Sequence, residues 1–147
     1  MPTWNRLLIA WFFVPLHRFL FRLSGGRLLS RLEGCGVLIL VTRGRRSARS
    51  RASPLTYFRF DDSGDLLVVA SNYGQDRHPA WYLNIAADPA VHVETGGERF
   101  AAQARITPEP ERAALLDKVI AANPRYATYR AATSRRIPIV ALRRAGP

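Results

Sequence analysis

The sequence is short of several things. It has one cysteine, Cys35, which excludes an internal disulfide, paired thiol chemistry and a cysteine-based zinc site. That count is compatible with a reducing cytoplasm, and with no convincing histidine partner the thiol reads as structural. The three histidines, His17, His78 and His92, are scattered without metal-ligand spacing, so no metal centre is expected. Asp61, Asp62 and Asp65 form a turn cluster and lack a calcium-loop pattern. The longest apolar run, Leu7 to Leu16, is about half the ~20 residues that a spanning helix needs. Acids are scarce: 11 Asp and Glu stand against 22 Lys and Arg, and only Lys118 among these is a lysine.

What is present is therefore an arginine-rich chain of net charge +11. Arginine favours forked recognition of phosphate or carboxylate. A nucleic acid, an anionic membrane surface, an anionic small ligand or a plain basic surface would each fit that charge. The 147 residues suit one domain, and the 48% apolar content suits a packed core. A chain of this size buries roughly two-thirds of its unfolded surface, so it needs no disulfides.

The N-terminal segment combines Trp4 and Trp11 with Arg18 and Arg22, the last two one helical turn apart. Residues 1–26 read as an amphipathic helix, with Pro15 as a kink and Gly25-Gly26 as its end. Arg6 before the apolar run invites a signal-peptide reading, but no small-residue cleavage site follows. Residues 4–23 could lie in an anionic membrane interface or cover the core with their aromatic face.

From Gly36 the pattern turns to strands. Val37 to Val41 suits a strand buried on both faces. Further strands are predicted at Ser53 to Phe60 and Leu66 to Ala70. A hairpin is expected from Val91-His92-Val93-Glu94 through Gly96-Gly97 to the run Phe100 to Ile106, with a last strand at Ile137 to Leu142. Pro138 argues for an edge there. Helices are expected from Pro79 to Ala87, from Pro108 to Ala122, and around Tyr126 and Tyr129. Six short strands with few helices suggest a mainly β, α+β domain over residues 36–142. It would be a small antiparallel barrel rather than a doubly wound sheet, with a tail at 143–147.

Three stretches could carry chemistry. Thr42 to Leu55 holds five arginines within nine residues, and Gly44 lets the chain turn through positive φ. Arg45, Arg46 and Arg51, with Ser47 and Ser53, could grip an anion, or the turn could be a solvated basic tip. It is neither a Walker loop nor a Rossmann fingerprint. The second stretch runs from Ala70-Ser71-Asn72 to His78-Pro79-Ala80-Trp81-Tyr82-Leu83-Asn84. Trp81 and Tyr82 could wall a flat ligand beside Asn84, or both could be core. In the third, Tyr126 and Tyr129 share one helix face and could donate protons or simply pack.

Taken in order, Thr42 to Ser47, Arg51 to Leu55, Ala70-Ser71, Pro79 to Asn84, Tyr126 to Tyr129 and Ile137 to Val140 resemble the deazaflavin-dependent nitroreductase family. The resemblance spans roughly Gly36 to Leu142. It implies a split β-barrel like that of the pyridoxamine-phosphate oxidases, and coenzyme F-420, whose tail carries a phosphate and several glutamates. It places Arg45, Arg46 and Ser47 at the phosphate end, with Arg51, Ala52, Ser53, Pro54, Leu55 and Thr56 along the cofactor. Val69, Ala70, Ser71, Asn72, Ala80, Trp81, Tyr82, Leu83 and Asn84 complete the site, and Tyr126 closes over it. The implied reaction is hydride transfer to a quinone or nitro compound, with Ser71, Tyr126 and Tyr129 as the catalytic candidates. It also implies a cytoplasmic enzyme, peripheral on the inner face of the membrane if residues 4–23 bind there. A non-catalytic deazaflavin carrier and an FMN-dependent oxidoreductase are the alternatives; a nucleic-acid-binding module ranks below them. The sequence departs from the family at Ala48 and Tyr73, where glycine is usual, at Asn72, where lysine is common, and at Asn123, which replaces an aromatic.

Overall fold

The computed structural model describes residues 36–146. The amphipathic helix expected over residues 1–26, and Cys35, lie outside them. Among the described residues there are six strands: β1 (Gly36–Arg43), β2 (Ser50–Phe58), β3 (Leu66–Val69), β4 (Ala90–Thr95), β5 (Glu98–Ile106) and β6 (Ile139–Arg144). Three helices join them: α1 (Ala80–Ala87), α2 (Glu111–Ala122) and α3 (Arg125–Ala132). All pairings are antiparallel, and the sheet closes in the order β1-β2-β3-β6-β5-β4, with β4 returning to β1. This is the barrel expected of a split β-barrel protein.

The strand pattern explains the closure. Along β3 every residue is buried, but successive side chains serve different cores. Leu66, Val68 and Ala70 join Leu38, Leu40, Val91, Val93, Ala102, Ala104, Val140 and Leu142 inside the barrel. Leu67 and Val69 point outward with Ile139 and Ala141, and meet Leu116 and Val119 of α2. A sheet covered on both faces needs unbroken apolar runs rather than alternation, and Val37 to Val41 and Leu66 to Ala70 supply them. Helix α1 stoppers the interior core with Trp81 and Ile85.

Glycine is needed at one turn and at one close approach. The β4–β5 hairpin pairs Thr95 with Glu98, leaving Gly96 and Gly97 at φ 59° and 81°. A two-residue hairpin turn of this hand needs positive φ at both positions. At the start of β1, Gly36 faces Tyr57 across the sheet, and its missing side chain leaves room for the phenol ring.

The last strand corrects the sequence expectation. It pairs with both β3 and β5, so it is no edge, and Pro138 stands just before it. There its missing N–H costs no ladder bond, while its carbonyl accepts from Ala70 N at 2.9 Å. The strand also runs to Arg144, past the boundary expected at Leu142. Arg143 forks onto the carboxylate of Asp65 at 3.0 and 3.1 Å, tying β6 to the start of β3.

Candidate active site

The arginine-rich connection folds into a six-residue turn between Arg43 and Ser50, which pair across β1 and β2. Gly44 N donates to Arg49 O and Ala48 N donates to Gly44 O, both at 2.8 Å. The left-handed residue is Ala48, at φ 56°, and not Gly44 as the sequence suggests. Space is tight at Gly44 instead: a Cβ there would sit 2.6 Å from Ser47 Oγ and 3.2 Å from the Arg49 carbonyl. Ala48 is exposed, and it stands where the family resemblance expects glycine. Left-handed backbone costs an alanine roughly 1–2 kcal/mol, partly offset by the freedom glycine would lose. Ala48→Gly is therefore expected to stabilise the fold by about 0.5–1 kcal/mol. Thermal melting checks this; an unchanged or lower midpoint would contradict the strain at this position.

Beneath the turn, Asn84 of α1 is 4% exposed and anchors it. Its Oδ1 accepts from Arg45 N at 3.1 Å and from the Arg45 guanidinium at 3.3 Å. Its Nδ2 donates to the buried Thr42 Oγ1 at 3.1 Å. Asn84 thus positions Arg45, and its amide is already committed within the protein. Ser47 Oγ accepts from Arg49 N and from Arg51 Nη2 at 3.3 and 3.4 Å, which orders the turn further.

Turn and helix together enclose an open cavity of about 640 Å³. It gathers Arg45, Arg46, Ser47, Arg51, Ala52, Ser53, Ala80, Trp81 and Asn84, all candidates from sequence, and adds Gly44 and Ser50. Among the described residues, none of Arg45, Arg46 and Arg51 forms an ion pair with a carboxylate. Six arginines elsewhere on the barrel and helices, Arg99, Arg105, Arg112, Arg130, Arg143 and Arg144, each have an acidic partner. Trp81 belongs to both readings offered for it, being packed in the interior core while lining the cavity.

The remaining candidates lie outside this cavity. Pro54, Leu55 and Thr56 continue along β2 opposite Ile39, Leu38 and Val37. Val69 is in the outer core, and Ala70 is fully buried in the interior one. Tyr82 and Leu83 are half-buried on α1, the phenol ring 4.7 Å from the His78 ring. Tyr126 and Tyr129 sit on α3 against the outer core, in an edge-on series. Phe58 meets Tyr126 at 5.6 Å, Tyr126 meets Tyr129 at 5.4 Å, and Tyr129 meets Tyr73 at 6.0 Å. The phenol at 126 therefore packs on the barrel wall in this structure, away from the arginine turn.

Ser71 is buried at the mouth of β3, and a left-handed turn follows it: Asn72, Tyr73 and Gly74 have φ of 45°, 57° and 77°. Tyr73, another position where the resemblance expects glycine, takes a conformation suited to glycine, and its side chain is 77% exposed. The Asn72 amide donates to Arg77 O at 3.0 Å and braces the turn from within.

Arg135 was not foreseen. Its Nε donates to Gln75 O at 2.8 Å, and its Nη2 donates to Ser71 O at 2.8 Å. Both terminal nitrogens reach Ala70 O, at 3.2 and 3.3 Å, and Nη1 lies 3.3 Å from His78 Nδ1. A guanidinium only donates, so Nδ1 accepts and the imidazole proton sits on Nε2. In sequence, Ser134-Arg135-Arg136 looks like any exposed basic pair, and no local signal marks the first arginine.

Burial, then the charge of Arg135, holds the His78 pKa below its ordinary value. The contribution to stability is complete above the ordinary histidine pKa and is lost as pH falls through the lower folded value. An NMR titration is expected to place His78 below 6.5, the unperturbed value. A midpoint at or above it would contradict the burial of His78 beside Arg135.

Comparison with known proteins gives a consistent result. The family model for F420H(2)-dependent quinone reductases matches residues 15–144. An F420H(2)-dependent quinone reductase of Mycobacterium tuberculosis is 37% identical over 133 residues, covering 88% of each chain. Among solved structures, an F420-H2 dependent reductase superposes with a TM-score of 0.62 at 33% identity, covering 72% of this chain and 92% of that one. A pyridoxamine 5'-phosphate oxidase-related, FMN-binding protein of Nostoc punctiforme has a TM-score of 0.55 at 15% identity, covering 87% of this chain and 78% of that one. That last likeness is one of fold.

Proposed function

Because the chain belongs to the F420H(2)-dependent quinone reductase family, we propose that it reduces a quinone at the expense of reduced coenzyme F-420, whose anionic tail lies in the cavity beneath the arginine turn. One observation carries the placement of the tail: three arginines line a single cavity, and among the described residues no carboxylate neutralises them. A phosphate with several glutamates is the kind of ligand that arrangement suits.

The donor set fits such a tail. Arg45, Arg46 and Arg51, with the hydroxyl-bearing Ser47, Ser50 and Ser53, all line the cavity. When bound, the reduced deazaflavin supplies the hydride. The protein's part is to orient the ring and keep water from it. In this reading Trp81 would close the cavity floor, Ala52 to Thr56 and Val69 to Asn72 would hold the ring, and Ser71 would donate a hydrogen bond to it. Tyr126 and Tyr129 would serve the acceptor, where a phenol can return a proton to the reduced quinone oxygen. Since Tyr126 now rests on Phe58, that role requires α3 to shift, or the acceptor to approach along the aromatic series.

A nitroaromatic can take the same two electrons as a second acceptor class. The test is turnover under anaerobic conditions, with reduced F-420 and a water-soluble naphthoquinone. Return of the oxidised deazaflavin absorbance at a rate proportional to protein is expected. Tight cofactor binding without such turnover would favour the carrier reading and contradict this one.

No described helix is long and apolar enough to cross a membrane. The case for peripheral membrane contact rests on the sequence pattern of residues 4–23. Deleting residues 1–24 is expected to slow reduction of a long-chain quinone in anionic vesicles while sparing the soluble quinone. Equal rates in vesicles would contradict it.

A further inference from the structure

We propose that Arg135 is a positioning residue for the reaction, clamping the segment Ala70–Gln75 so that Ser71 is presented to the deazaflavin ring; this rests on the function proposed above. Three successive left-handed residues follow Ser71. Asparagine tolerates left-handed backbone, but a bulky side chain does not, so Tyr73 holds it only if its surroundings enforce it. The turn's own main-chain bonds are two, Gly74 N to Ser71 O at 2.9 Å and Gln75 N to Asn72 O at 3.1 Å, and one side chain, Asn72, adds its bond to Arg77 O.

The enforcement comes from the chain between α3 and β6. All three nitrogens of the Arg135 guanidinium donate to backbone carbonyls, those of Ala70, Ser71 and Gln75. A second tie lies beside it, Thr133 Oγ1 to Asp76 Oδ1 at 2.9 Å. Gly74 packs so closely on α3 that a Cβ would come within 2.9 Å of the Tyr129 carbonyl. The guanidinium makes no contact with a carboxylate within the clamp. Its use here is geometric: a planar fork with five donors spans three carbonyls that a lysine ammonium cannot reach together. The clamp is separate from the arginine turn, so it acts on the ring end of the ligand and leaves the tail grip alone.

The test compares wild type with Arg135→Ala and Arg135→Lys. In the cofactor-free protein, hydrogen exchange at the amides of Gly74 and Gln75 is expected to quicken about tenfold or more in both variants, with barrel-strand amides unchanged. Turnover per bound F-420 is expected to fall about tenfold or more while the cofactor dissociation constant stays within about threefold. Added guanidinium should recover part of the turnover in Arg135→Ala. Unchanged exchange at Gly74 and Gln75 overturns the clamp. Faster exchange with unchanged turnover per bound cofactor overturns the positioning role. Failure of the functional reading would look different: the wild type itself would bind no F-420, while the exchange comparison would still decide the clamp.

Discussion

Replacing Arg45 and Arg46 together by alanine is expected to raise the F-420 dissociation constant at least about 100-fold. A hydrogen bond to a charged group contributes about 1.5–3 kcal/mol net, and two forked contacts are lost. Both side chains are exposed, so the lower figure applies to each, giving about 3 kcal/mol in all. No nearby acid holds either guanidinium, so the truncation relieves no internal pair. The fold should barely notice. The turn is held by Gly44, Ala48 and Arg49 main-chain bonds, and the bond from Arg45 N to Asn84 survives loss of the side chain. Turnover at saturating cofactor should therefore be nearly unchanged, and added salt should weaken wild-type binding more than variant binding. A fluorescence titration with melting curves alongside checks all three. A shift in dissociation constant below about tenfold would mean that the tail is held elsewhere.

The largest stability effect among single substitutions at the site is expected for Gly74→Ala. The new methyl meets two penalties. At φ 77° an alanine pays roughly 1–2 kcal/mol for its left-handed backbone. The Cβ would also lie 2.8 Å from Ala132 Cβ, 2.9 Å from the Tyr129 carbonyl and 3.1 Å from Tyr129 Cα. Two of those neighbours are helix backbone, which cannot swing aside, and overpacking of this kind typically costs about 1–3 kcal/mol. The sum, about 2–5 kcal/mol, corresponds to a fall in melting temperature on the order of 10 °C. Gly64 supplies the control. It has nearly the same φ, 81°, but nothing within 4 Å of its would-be Cβ. Gly64→Ala should show the backbone penalty alone. Equal shifts for the two variants would show that the turn does not press on α3.

Much of the barrel was legible because its strands are short, apolar and set off by strong punctuation. Gly96-Gly97 reads as a hairpin and is one, and the unbroken run Leu66 to Ala70 marks a strand covered on both faces. Pro138 misled because a proline near a strand suggests an edge, and sequence does not show that it falls just outside the ladder. At the site, the arginine turn and the Trp81 helix were found because charge and aromatics concentrate there. Their meeting in one cavity depends on Asn84, whose bonds to Arg45 and Thr42 span 39 and 42 residues. The left-handed backbone at Ala48 and Tyr73 is not announced by these residues themselves; its one trace is the family resemblance, which expects glycine at both. Arg135 was hidden for a related reason. Its partners are carbonyls 60 to 65 residues away, and a carbonyl carries no sequence signature.

Equilibrium titration of the wild-type chain with F-420 and with FMN, side by side, tests the central claim most directly. Both ligands carry a phosphate, and only F-420 adds the glutamate chain that an unneutralised arginine cavity favours. The expected result is submillimolar binding of F-420 with clear preference over FMN, and loss of that preference for a deazaflavin lacking the tail. Equal affinity for the two, or no binding of either, would contradict the assignment.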